Sequence, residues 1–215
     1  MQQKENNLAR NILAIGGLIL VLVIPYVYAQ NPHGGIAEAL LLLYFIPAFF
    51  VYSNIDERKF ILAVLFVAVM AETINVGFGL YSYAGTSTVP AWVLIGWACT
   101  AWALLTINKI LKPSTDRNVT LASIIAIFGL YALFVSHSVS GFFINSIIMA
   151  AVFFATKPRS CNIFLIAVMF GMAIEFSGVL VFNAWHYIDG PDLSKLGAMY
   201  SFMYFIASMI AKYEL

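Results

Sequence analysis

Eight runs of apolar residues, bounded by charges or by Pro, Gly and Asn, divide the chain: 11–29, 35–52, 60–81, 91–111, 119–135, 139–155, 162–185 and 196–211. A helix needs about 20 apolar residues to cross a hydrocarbon core of roughly 30 Å. The pattern therefore predicts an all-α fold, a polytopic membrane helix bundle of about eight transmembrane helices forming a single integral membrane domain over 1–215. The fifth and sixth runs are short and separated only by "SHSVS", which leaves a bent or re-entrant pair open at that point.

Charge adds an orientation. Short cytoplasmic loops collect Lys and Arg. With eight spans, Lys4, Arg10, Arg58, Lys59, Lys109, Lys112, Arg117, Lys157, Arg159 and Lys212 all fall on one side, and of the 11 basic residues only Lys195 falls on the other. A multi-pass cell-membrane protein with both termini cytoplasmic is the expectation. Composition agrees: 62% of the 215 residues are hydrophobic, mean hydropathy is +0.92, and 10% are charged against roughly 25% in an average soluble domain. The formal net charge of +1 gives no bulk attraction to nucleic acid. "KENNLAR" followed by an apolar stretch and "VYA" can also be read as a signal peptide, but the stretch is longer than the usual h-region of up to about 15 residues, so a retained first helix is expected. Cys99 and Cys161 lie towards opposite ends of different helices and form neither an expected disulfide nor a metal motif.

Two carboxylates stand out. Glu72, in "MAETINVGFGLYSY", and Glu175, in "GMAIEFSGVLVFNAWHYIDG", each sit within an apolar run, among small residues and ahead of an aromatic exit. Each belongs to the third helix of a set of four. At 1.5 Å per residue they lie roughly 18 Å and 20 Å from the inner ends of their helices. Two parallel repeats, 1–112 and 113–215, related by an axis along the membrane normal would place them at matching depth. A charge at the bilayer centre costs at least about 2.5–3.5 kcal/mol and usually marks function. Asn75 and Gly79 share a helical stripe with Glu72, Asn75 to hydrogen-bond the carboxyl and Gly79 to leave room for a backbone or ligand. Gly178, Phe182 and, further on, His186 follow Glu175 in the same way. Burial without a cation predicts two neutral carboxylic acids, or two sharing one negative charge, and such a group can donate a proton where water is scarce. The competing reading makes each glutamate a hydrogen-bonded packing residue.

Other candidates carry less. Glu38 suits the first turn of a helix, where the dipole favours it. "HSVSG" at 137–141 is no catalytic triad, and His33, His137 and His186 have no metal-ligand spacing, so no metal is expected. Trp92, Trp97 and Trp102 fit interface or core positions, and "DERK" at 56–59 reads as a solvated loop.

The stretch "ETINVGFGLYSYAGTSTVPAWVLIGW" from Glu72 to Trp97, with its Gly-x-Tyr-x-Tyr element, Val89–Pro90 and terminal Trp, resembles a family of carotenoid-biosynthesis membrane proteins that includes bisanhydrobacterioruberin hydratase. "EFSGVLVFNAWHYIDGP" resembles a looser version found there and in membrane lycopene cyclase domains. The resemblance implies a lipophilic isoprenoid substrate in a membrane-lipid setting and protonation of a terminal C=C bond for hydration or cyclisation, a lyase- or isomerase-like reaction. Glu72 would be the proton donor, Glu175 the partner acid or water-orienting base, and Asn75 the residue orienting Glu72. Tyr81, Tyr83, Trp97, Phe182, Trp185, His186 and Tyr187 would form the substrate wall, with no cofactor. A proton-coupled carrier or lipid-handling protein, and a non-catalytic subunit of a membrane complex, are the competing functions. Protein partners are not legible.

Overall fold

The computed structural model describes residues 2–110, Ile147, 161–188 and 193–213. Among these are six α-helices: α1 (Gln2–Gln30), α2 (Ile36–Phe50), α3 (Ile55–Gly77), α4 (Ala91–Ile110), α5 (Cys161–Glu175) and α6 (Leu193–Ala211). They coincide with six of the eight expected spans. The fifth and sixth expected spans, with His137 and the "HSVSG" stretch, lie outside the described residues. Among the described residues three segments, Asn7–Gln30, Ile55–Gly77 and Ala91–Ile110, are long and apolar enough to cross a membrane.

The helices are not equivalent in burial. The apolar window of α4 is 72% buried, those of α1 and α3 33% each, which makes α4 the centre of the bundle. It packs on α1, α2, α3 and α5, while α3 and α5 both pack on α6. Tyr44 of α2 meets Trp102 of α4 edge-on at 5.9 Å, and Gly17 of α1 lets the Tyr44 ring lie directly against its backbone, 2.0 Å from where a Cβ would be.

Local sequence explains the ends. α3 begins five residues ahead of the expected span because Asn54 and Glu57 form a capping box: the Asn54 side chain accepts from Glu57 N–H at 2.9 Å, and Glu57 Oε2 accepts from Asn54 N–H at 2.9 Å. Two orphan donors at the helix start are thereby satisfied. The "DERK" stretch is consequently the first turn of α3 and not a solvated loop. Glu57 is fully buried and takes hydrogen-bonded ion pairs from Arg10 of α1 at 2.6 Å and from Lys109 of α4. Arg10 also donates to Thr106 Oγ1 at 3.2 Å and lies 5.7 Å from the Trp102 ring centre. One acidic group thus ties the start of α1, the start of α3 and the end of α4 together at a basic end of the bundle.

At the opposite end the chain leaves the all-α expectation. α3 closes at Gly79 (φ +68°), which takes the left-handed conformation open to glycine, and the next residues form strand β1 (Tyr81–Tyr83). After α5 the helix widens into a π-helical segment, Phe176–Val181, then turns at Asn183 (φ 53°) into strand β2 (Trp185–Tyr187). Asparagine is the residue after glycine most at ease there. The strands pair antiparallel, Tyr81 to Tyr187, Ser82 to His186 and Tyr83 to Trp185. Ala84 N–H to Ala184 O (2.9 Å) and Ile188 N–H to Leu80 O (3.2 Å) extend the ladder at its two ends. Those last two bonds are counterparts: the same number of residues separates Leu80 from Ala184, Ala84 from Ile188 and Gly79 from Asn183.

Candidate active site

Strand alternation aims the aromatic side chains. Tyr81 and Tyr83 are buried and Ser82 is exposed on β1; on β2 Trp185 is buried, His186 exposed and Tyr187 half-buried. The inward side chains reach Glu72 and Glu175, themselves only 8% and 6% exposed.

Glu72 Oε2 accepts from the Tyr81 and Tyr83 hydroxyls, the latter at 2.8 Å, and its Oε1 accepts from Trp97 Nε1 at 2.9 Å. Glu175 Oε2 accepts from Trp185 Nε1 and from the Tyr187 hydroxyl, each at 3.0 Å, while its Oε1 accepts from the Tyr200 hydroxyl at 3.3 Å. Each carboxyl therefore has two tyrosine donors and one tryptophan donor. The donors stand 9, 11 and 25 residues beyond Glu72 and 10, 12 and 25 beyond Glu175. The π-helical turn absorbs the extra residue in the second set: Phe182 N–H reaches back to Ser177 O and Ala184 N–H to Gly178 O, so the strand after Glu175 begins one residue later.

Gly178 permits this geometry. A Cβ there would lie 1.9 Å from the Trp185 ring, so the indole packs directly on helix backbone with its N–H at the carboxylate. Gly171 does the same for Tyr200, whose ring would be 2.5 Å from a Cβ. The Tyr200 ring in turn stacks on Trp97 at 4.4 Å, joining the two carboxyl environments.

Both glutamates line one cleft, whose non-atom space is about 470 Å³ with the open solvent at its mouth included. Its walls come from α1, α3, α4, α5, α6 and both strands, and among the described residues no Lys, Arg or His lines it. Among the described residues no group of three His, Cys, Asp or Glu side chains is placed to hold a metal ion.

Seven of the ten expected site residues meet in this cleft: Glu72, Glu175, Tyr81, Tyr83, Trp97, Trp185 and Tyr187. Three do not line it. Asn75 is half-buried and its carbonyl accepts Leu80 N–H; the contacts expected of its side chain are made to Glu72 by Tyr81, Tyr83 and Trp97. Phe182 packs instead on Tyr26 of α1 at 5.4 Å. His186 faces outward because helical periodicity gives way to strand alternation before it is reached. Gly79, expected to leave room for a ligand, serves the turn into β1. Tyr200, Trp92 and Thr100 also line the cleft and were not among the expected site residues. Tyr200 was signalled in the sequence, standing as far beyond Glu175 as Trp97 stands beyond Glu72. Trp92, expected as an anchor or core residue, borders the site, whereas Trp102 is core.

Comparison of the chain with family models, curated proteins and solved structures gives no match.

Proposed function

We propose that this protein is a membrane-embedded enzyme that protonates a terminal C=C bond of a long isoprenoid such as a carotenoid end group, for hydration or cyclisation. The observation that carries the reading is the convergence of two carboxyls on one aromatic-walled cleft that no cation lines among the described residues. An acid there, Glu72 in the neutral form, adds its proton to the alkene and becomes a carboxylate, leaving a tertiary carbocation. Aromatic faces such as Trp97 and Trp185 stabilise the cation. In hydration, water then adds through oxygen and gives a proton to the carboxylate of Glu72 or Glu175, so the net change is C=C plus H2O to H–C–C–OH. In cyclisation a second double bond attacks the cation, and loss of a proton to a carboxylate restores the acid.

The same reading takes the chain as an eight-span, multi-pass cell-membrane protein with the basic end cytoplasmic, supported by the meeting of Arg10 and Lys109 at Glu57. It also takes the two halves as repeats. The matched donor sets, the matched left-handed residues Gly79 and Asn183 and the paired ladder bonds support that relation.

Co-expression with a carotenoid pathway followed by pigment chromatography tests the function: a hydroxylated or cyclised product is expected, and it disappears with Glu72→Gln. Proton-dependent uptake into vesicles with unchanged pigments would instead establish a carrier. The satisfied hydrogen bonds of both glutamates favour the packing alternative, which wins if Glu72→Gln and Glu175→Gln lower folding yield and change neither activity.

A further inference from the structure

The site contains three tryptophans whose indole N–H groups differ in one respect. Trp97 donates to Glu72 and Trp185 to Glu175, whereas Trp92, 3% exposed and lining the same cleft, has a buried N–H with no acceptor. Among the described residues the other buried polar atoms without a partner belong to Tyr44, Trp102, Asn108 and Tyr204, none of which lines the cleft. Burying an indole N–H unpaired is unfavourable, and tryptophan is normally used where its N–H reaches a partner. A phenylalanine would fill an aromatic wall without that penalty. The ring is also held on three sides, by Tyr28 at 5.1 Å, Tyr83 at 6.2 Å and Trp185 at 6.1 Å, so the N–H has a fixed place.

We propose that Trp92 Nε1–H is a ligand-binding donor and that the molecule occupying the cleft presents an oxygen acceptor to it. The inference rests on the isoprenoid reading above and narrows it. In a hydration the oxygen is that of the water being added and of the tertiary alcohol it becomes: the N–H binds one lone pair while another attacks the carbocation. A cyclisation of a hydrocarbon puts no oxygen in the cleft and leaves the Trp92 N–H unpaired throughout.

The test uses the full chain in lipid nanodiscs with 15N-labelled tryptophan. There are four tryptophans, so four indole signals are followed during titration with linalool, a tertiary isoprenoid alcohol, and with myrcene, the hydrocarbon that differs from it by one water. Linalool is expected to move the Trp92 signal downfield and to bind about tenfold more tightly than myrcene, the size of one net hydrogen bond. Trp92→Phe is expected to abolish that preference while keeping myrcene binding. Should the variant fold poorly, assigning the other three signals by Trp97→Phe, Trp102→Phe and Trp185→Phe identifies Trp92 in the wild type by elimination, and the shift alone decides. Myrcene binding with no advantage for linalool, or an unmoved Trp92 signal, overturns the donor role and leaves the isoprenoid reading standing. If neither compound binds, the isoprenoid reading fails and the donor role with it.

Discussion

Among the described residues three glutamates are buried, Glu57, Glu72 and Glu175, and they are surrounded in two different ways. At the basic end, Glu57 faces Arg10 and Lys109 and caps its own helix. At the strand end, Glu72 and Glu175 face six neutral donors and, among the described residues, no cation. A carboxylate between two cations is locked in the charged state, and removing it strands the partners. A carboxylate among phenols and indoles has no such lock, since its donors stay uncharged whether the proton is on or off. The first arrangement suits a clamp on α1, α3 and α4; the second is the setting that the proposed proton transfer would use.

The largest effect that would break this contrast is on activity. Glu72→Gln keeps a carbonyl acceptor for its donors and removes the exchangeable proton. Product formation in the co-expression assay is expected to fall by about 10²–10⁴-fold, the usual range for a general acid, while the thermal midpoint in detergent moves by only a few degrees. A stability collapse without an effect on product per folded molecule would place Glu72 with Glu57. At the other end the expectation reverses. Glu57→Ala strands Arg10 and Lys109 and opens the helix cap, costing about 3 kcal/mol, at the lower end of the range for breaking a buried pair because Lys109 is 48% exposed and can turn to water. Denaturation of the purified protein measures this loss, and product per folded molecule should hold.

Gly178→Ala sharpens the comparison further. Its methyl would lie 1.9 Å from the Trp185 ring, forcing the indole off the helix and its N–H away from Glu175. Overpacking of this kind costs about 1–3 kcal/mol, and here it should be accompanied by a change in the Trp185 indole signal. An unmoved signal would show that the close approach is not what sets the donor.

Six of the eight expected spans, and the meeting of seven expected residues in one cleft, were legible because long apolar runs stand out and a carboxylate inside one is conspicuous. The missing parts were hidden for identifiable reasons. Two strands of three residues carry too little alternation to be separated from an apolar helix end, so Trp185 was assigned to a helix and His186 to the Glu175 face. The π turn has no sequence signature beyond the one-residue offset in donor spacing. Glu57 was misread because four consecutive charges look like a loop, although Asn54 three residues before it already spelled a capping box. Tyr200 was legible only to a comparison of offsets, since nothing local distinguishes it from other aromatic residues of α6.

The smallest expected effect tests whether the two carboxyl environments are equivalent. Tyr83 and Tyr187 occupy matching places, third in their strands, donating to Glu72 and Glu175 at 2.8 Å and 3.0 Å. Replacing either by Phe removes one hydroxyl and leaves two donors on the carboxyl, a loss of about 1 kcal/mol. The Tyr83→Phe loss should be the larger of the two, because Tyr83 is buried on its strand and Tyr187 is half-buried, where water can replace the missing hydroxyl. The pair serve different carboxyls, so the double variant should be additive to within about 0.5 kcal/mol. Stability curves of the two single variants and the double variant decide the matter. A coupling well above that limit would mean that the proton on one glutamate depends on the donors of the other, and the cleft would then hold one shared acid in place of two matched ones.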